Sequence, residues 1–99
     1  THLHEDHCGN NSILVNELDA KILAPHDRLN FNEVTWFYKL FWGKPEVFER
    51  NELPSSRFTT DTGRALEIIN TPGHTPCHVS YYLKEEDIMV TGDSIPLPL

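Results

Sequence analysis

The first seven residues of the chain concentrate side chains that bind metals: His2, His4, Asp6 and His7. Neutral imidazole nitrogens bind borderline metals such as zinc, and a carboxylate adds a harder oxygen ligand. The segment is short enough to be one loop, and so many ligands within it favour two metal ions over one. The opening segment therefore predicts a metal-binding site.

Two later segments place further ligands directly after predicted strands. His74 follows Pro72 and Gly73, which indicate a tight turn at the end of one strand, and Asp93 follows another strand within residues 91–94. Ligands at the ends of adjacent strands converge in space despite their separation in sequence. The sequence therefore predicts a single site built from the opening segment, His74 and Asp93.

The elements that would hold these ligands follow from hydrophobic periodicity and turn residues. Asn11 or Ser12 is predicted to cap a short helix that runs to Leu18. Residues 31–42 are predicted to form an aromatic helix, which could pack in the core, contact another subunit or line a substrate pocket. Strands are predicted over residues 21–24, 57–60, 65–69, 79–83 and 88–90, with a turn at residues 61–63. Helices in the first half and strands in the second indicate an α/β architecture.

Length and composition limit the class of protein. The 99 residues allow one small domain, and the 38% hydrophobic and 23% charged residues are typical of a soluble globular chain without a membrane span. The net charge of −7 provides no general attraction for nucleic acid. We expect a small-molecule substrate as partner, no nucleic acid or membrane partner, and a cytoplasmic protein in which Cys8 and Cys77 stay reduced.

The three ligand segments together resemble the metal-binding motifs of the metallo-β-lactamase superfamily, in the order in which that family has them. They are His2-x-His4-x-Asp6-His7, then Pro72-Gly73-His74-Thr75, then Gly92-Asp93-Ser94. The resemblance implies two groups of ligands. The ligands of the first metal are His2, His4 and His74, those of the second are Asp6 and His7, and Asp93 bridges the two ions.

The resemblance also implies the cofactor, one catalytic role and the fold. It implies two Zn²⁺ ions, with Fe or Mn as alternatives, and a catalytic role for Asp6 in orienting the hydroxide or passing a proton. The family fold is a four-layer αβ/βα sandwich made of two similar halves. Residues 1–99 are therefore expected to form a single incomplete domain, about one half of that sandwich, without its leading strands and without the C-terminal half that carries the last histidine ligand.

The ligand types discriminate among functions within the family. Aspartate at position 93 differs from the cysteine of some zinc β-lactamases, and His4 differs from the glutamate of flavodiiron proteins. The chain is most similar to glyoxalase II-like hydrolases, which use a metal-bridging hydroxide to cleave a small thioester or ester-type substrate. A lactonase of the same fold, a mononuclear iron persulfide dioxygenase and a non-catalytic metal-binding fragment stay open as alternatives.

Three further polar residues complete the prediction. His26 and His78 match none of the three motifs, and their expected positions are at the surface or beside the ligands. His78 is predicted to form a hydrogen bond next to the site, and Thr75 is predicted to be a hydrogen-bond donor to a ligand.

Overall fold

An antiparallel sheet dominates the computed structural model, which describes residues 1–25, 40–41 and 48–95. In chain order the elements are α1 (Glu5–Cys8), α2 (Asn11–Leu18), β1 (Leu23–Ala24), β2 (Asn51–Glu52), β3 (Arg57–Thr59), β4 (Ala65–Asn70), β5 (Val79–Leu83), β6 (Ile88–Val90) and a 3₁₀ turn at Gly92–Ser94. Within these ranges, no helix has the length and apolar character needed to cross a bilayer.

The register of the sheet brings two of the ligand segments to one edge. Strands β3 to β6 form an antiparallel meander in sequence order. Asn70, the last residue of β4, pairs with Val79, the first of β5, and Tyr81 pairs with Val90, the last of β6. The loop between β4 and β5 and the turn after β6 therefore emerge from the same end of the sheet.

The opening segment is held against that same end. The carbonyl oxygen of Thr1 accepts a hydrogen bond from the Val79 amide at 3.0 Å. Leu3 and Cys8 are buried together with Ala24, and Ile22 and Phe48 pack against this small core. Burying these apolar side chains stabilises the segment, so its polar ligands are placed beside the sheet edge.

The α/β prediction is confirmed, and most predicted elements are found. The predicted helix up to Leu18 is α2, but its N-cap is Asn10 and not the predicted Asn11 or Ser12. The strands predicted over 57–60, 65–69, 79–83 and 88–90 correspond to β3, β4, β5 and β6. The strand predicted over residues 21–24 is limited to its last two residues, β1, which pair in parallel with β2. The predicted aromatic helix lies outside the described residues except for Leu40 and Phe41, which are helical and exposed.

One expectation about the opening segment was wrong. The segment is not a single loop, because Glu5–Cys8 form the helical turn α1. The amides of His7 and Cys8 both donate to the His4 carbonyl oxygen, at 3.0 and 3.1 Å. A turn of this length is too short to produce a helical period in the sequence, which is why the pattern did not reveal it.

Candidate metal centre

The structure brings all the predicted ligands together at the edge of the sheet. They are His2, His4, Asp6, His7, His74 and Asp93. They fall into two groups, each with ligand atoms within 4.8 Å of one another: His2, His4, His74 and Asp93 in the first group, and Asp6, His7 and Asp93 in the second. This division matches the two ligand groups expected from the sequence, and the shared residue is Asp93.

The first group has distances that suit a single tetrahedral ion. His4 Nδ1 lies 2.9 Å from His2 Nε2 and 2.9 Å from His74 Nε2. Asp93 Oδ2 lies 3.3 Å from His74 Nε2 and 3.7 Å from His2 Nε2. A tetrahedral zinc with bonds of about 2.0–2.1 Å separates its ligand atoms by about 3.3 Å. The four distances bracket that value, so the first group fits a zinc ion.

The second group is smaller and more open to solvent. His7 Nε2 lies 3.4 Å from Asp93 Oδ1 and 3.6 Å from Asp6 Oδ2. The Asp6 side chain is 51% exposed, whereas the His7 side chain is 28% exposed. A metal with three protein ligands that can be reached from solvent can also bind water or substrate. A metal ion bound by the second group would therefore have room for water or another small ligand.

Asp93 connects the two groups through its two carboxylate oxygens. Oδ2 lies near His2 and His74, and Oδ1 lies near His7. A carboxylate that presents one oxygen to each of two groups can hold two cations near each other and offset part of their repulsion. The residue reaches this position from the 3₁₀ turn that follows β6.

The structure fixes His2 with Nε2 directed at the first group. Its side chain has no exposed surface, and its other ring nitrogen, Nδ1, lies 3.2 Å from Thr1 Oγ1. A partner on the second ring nitrogen sets the orientation of a ligating histidine. Burial, and then the neighbouring His7 and His4, lower the pKa of His2 to about 4. His2 is therefore neutral near pH 7, which is the form that binds metals.

Backbone hydrogen bonds shape the loop that carries His74. The Thr71 amide donates to the His78 carbonyl oxygen at 3.0 Å, which closes the loop at its base. The amides of Gly73 and His78 both donate to the Thr75 carbonyl oxygen, at 3.2 and 3.3 Å. These bonds satisfy the backbone of a segment that is outside the sheet, and they leave the His74 ring directed at His4.

The expectations for the neighbouring residues have different outcomes. His78 does form a hydrogen bond beside the site, since its Nε2 accepts from the Asp93 amide at 3.2 Å. Thr75 is not a donor to a ligand, because its buried hydroxyl has no hydrogen-bond partner among the described residues.

Thr71 and Ser80 contact His78 or its partners, and sequence reasoning missed both. Their only signal is a hydroxyl near a strand end, which is common in turns. His26 lies outside the described residues.

Comparison with known proteins decides the family. The model of the Metallo-beta-lactamase superfamily matches residues 1–98. The chain belongs to this superfamily. Its α/β fold is accordingly part of the metallo-β-lactamase fold, and members of the superfamily bind metal ions. The residues of both ligand groups lie within the matched range.

Three relatives illustrate the similarity. The hydroxyacylglutathione hydrolase of Erythrobacter litoralis is 32% identical over 95 residues, which are 96% of this chain and 32% of that protein. The beta-lactamase-like protein 2 homolog of Caenorhabditis elegans is 33% identical over 96% of the chain and 29% of its own length. Glyoxylase B2 of Dictyostelium discoideum is 28% identical over 99% of this chain and 35% of its own length. The chain spans about a third of the length of these relatives. No solved structure matches it significantly.

Proposed function

We propose that the protein containing this chain is a metal-dependent hydrolase of the glyoxalase II type, which cleaves a small thioester with water. The main support for the proposal is the position of the Asp93 carboxylate, which has Oδ2 beside the first ligand group and Oδ1 beside the second. A site for one structural ion would not need a second group with an exposed carboxylate. The similarity to hydroxyacylglutathione hydrolases supports the choice of a thioester.

We propose Zn²⁺ for both groups, since imidazole and carboxylate ligands suit that ion. Two such ions would supply an activated water and polarise the acyl oxygen of the substrate. With neutral imidazoles, the carboxylates of Asp6 and Asp93 offset half the charge of two divalent ions. The remaining positive charge favours the oxyanion that develops when water attacks the acyl carbon.

Asp6 is proposed to transfer a proton from the attacking water to the leaving group. Its carboxylate lies at the solvent side of the second group, 3.6 Å from His7 Nε2. From there it can accept a hydrogen bond from the attacking water and pass the proton to the leaving sulfur as the carbon–sulfur bond breaks. The products are then a carboxylic acid and a free thiol, and no oxidant or reductant is needed.

Replacing the shared carboxylate should affect the two metals unequally. Asp93→Ala leaves three imidazoles in the first group but only Asp6 and His7 in the second. Losing a residue that hydrogen-bonds to a metal ligand typically lowers metal affinity by roughly 10–100-fold. We expect the affinity for the second ion to fall by more than that, and the affinity for the first ion to fall by less than the affinity for the second. Zinc titration of the protein expressed to its natural termini measures both. Asp61→Ala, which removes an exposed carboxylate from the turn between β3 and β4, is the control.

Turnover tests the substrate class. The zinc-loaded protein should hydrolyse a hydroxyacyl thioester of glutathione, and Asp93→Ala should reduce kcat far more than Asp61→Ala does. A panel that also contains lactones compares the two ester-type chemistries on the same site. If the protein binds two ions but hydrolyses neither class, the proposed function is wrong although the metal site is present.

A further inference from the structure

His78 is enclosed between the sheet and the metal ligands without belonging to either metal group. It is 1% exposed, and its ring centroid lies 5.0 Å from that of His2 and 6.3 Å from that of His74. Both of its ring nitrogens have partners in the structure. Nε2 accepts a hydrogen bond from the Asp93 amide at 3.2 Å, and Nδ1 lies 2.9 Å from Thr71 Oγ1. The ring is therefore engaged as a hydrogen-bonding group on both sides.

The donors of this network can be assigned from elementary chemistry. A backbone amide can only donate, so Nε2 of His78 must carry a lone pair. With Nε2 unprotonated, the ring is a neutral imidazole and its single proton is on Nδ1. Nδ1 then donates to Thr71 Oγ1, whose own proton is available to Ser80 Oγ at 3.0 Å. The Ser80 hydroxyl in turn donates to the Thr91 carbonyl oxygen at 3.3 Å.

The hydrogen-bond path begins and ends on the segment that carries Asp93. It starts at the Asp93 amide and ends at the carbonyl oxygen of Thr91, to which the Ser94 hydroxyl also donates at 2.8 Å. Asp93 lies in the middle of the 3₁₀ turn Gly92–Ser94. The path therefore holds the backbone of this turn at the Asp93 amide and at the Thr91 carbonyl oxygen.

We propose that His78, as the tautomer with its proton on Nδ1, is a positioning residue that fixes the Asp93 backbone so that its carboxylate reaches both metal groups. The inference rests on the proposed two-metal site but not on the proposed substrate. This role differs from packing. It requires Nε2 of His78 to accept a hydrogen bond from the Asp93 amide, whereas packing requires only a side chain of similar shape.

Two neutral substitutions separate the two sides of the ring. His78→Asn keeps an amide nitrogen near the position of Nδ1 and loses the acceptor for Asp93. His78→Gln extends an amide oxygen to the position of Nε2 and retains that acceptor. We expect His78→Asn to weaken second-ion binding by about 10–100-fold, and His78→Gln to stay within about threefold of the wild type. Zinc titration of the protein expressed to its natural termini gives both constants, and thermal melts record stability in parallel.

Equal losses of second-ion affinity in the two variants, or a larger loss in His78→Gln, would overturn the proposal in favour of simple packing. Nitrogen NMR of the zinc-loaded wild type gives an answer that does not depend on whether the variants fold. The expected spectrum has an unprotonated Nε2 and a protonated Nδ1, and a proton on Nε2 would overturn the proposal. Thioester turnover is measured separately, so inactivity with this NMR and binding pattern would count only against the proposed function.

Discussion

The His4→Ala variant should lose the first metal and all measurable hydrolysis. His4 Nδ1 is the atom that lies 2.9 Å from both other imidazole nitrogens of the first group. Removing this ring eliminates one of three imidazole ligands and the atom that lies close to the other two. Mutating a residue that hydrogen-bonds to a metal ligand lowers metal affinity or activity by about 10–100-fold. The loss of a direct ligand should have a larger effect. Zinc titration and thioester turnover measure the two effects.

His26→Ala is the control for the loss of one imidazole, because His26 matches none of the three ligand segments. It should keep wild-type metal content and turnover. A His4→Ala protein that retains two ions per chain and full activity would show that the first group is not the metal site. Circular dichroism of both variants distinguishes loss of metal from loss of fold.

The Gly92→Ala variant should destabilise the fold by several kcal/mol, on the order of 2–5. Gly92 has φ +52°, and a Cβ atom there would lie 2.5 Å from Thr1 Oγ1 and 2.7 Å from Thr1 Cβ. The left-handed conformation costs about 1–2 kcal/mol for a residue with a side chain. Forcing extra atoms into a packed position adds about 1–3 kcal/mol. We therefore expect the free energy of unfolding to fall by about 2–5 kcal/mol, measured by chemical denaturation.

Two other glycines separate the backbone and steric contributions. Gly63 has φ +83° but no atom within 4 Å of a built Cβ, so Gly63→Ala should show the backbone cost alone. Gly73 has neither a left-handed φ nor a close neighbour, so Gly73→Ala should not be destabilising. Combining Gly92→Ala with Thr1→Gly should recover the steric part. A Gly92→Ala protein as stable as Gly63→Ala would contradict the close approach of Thr1.

The sequence predicted the strands well because their signals are local. The apolar strand before His74 and the one before Asp93 each end at turn residues, and those ends are where the structure places the ligands. The histidine spacing in the opening segment predicted the ligand set, and the structure brings these residues close together. Family resemblance then supplied the grouping around two ions, which local spacing could not specify.

The features that sequence reasoning missed depend on contacts between distant segments. The parallel pairing of Leu23–Ala24 with Asn51–Glu52 involves strands too short for a periodic pattern. The path from Asp93 through His78 to Ser80 joins residues that become neighbours only when the sheet forms. Thr75 was expected to donate to a ligand because it follows His74, but adjacency in sequence does not determine where a hydroxyl points.

The most direct test of the two-metal site is the number and identity of metal ions bound per chain, measured by elemental analysis of the protein expressed to its natural termini. The position of Asp93 between two ligand groups predicts two ions per chain, and the proposed function predicts that both are zinc. A single ion per chain would contradict the account. If that ion were iron, the persulfide dioxygenase would replace the hydrolase as the interpretation of this site.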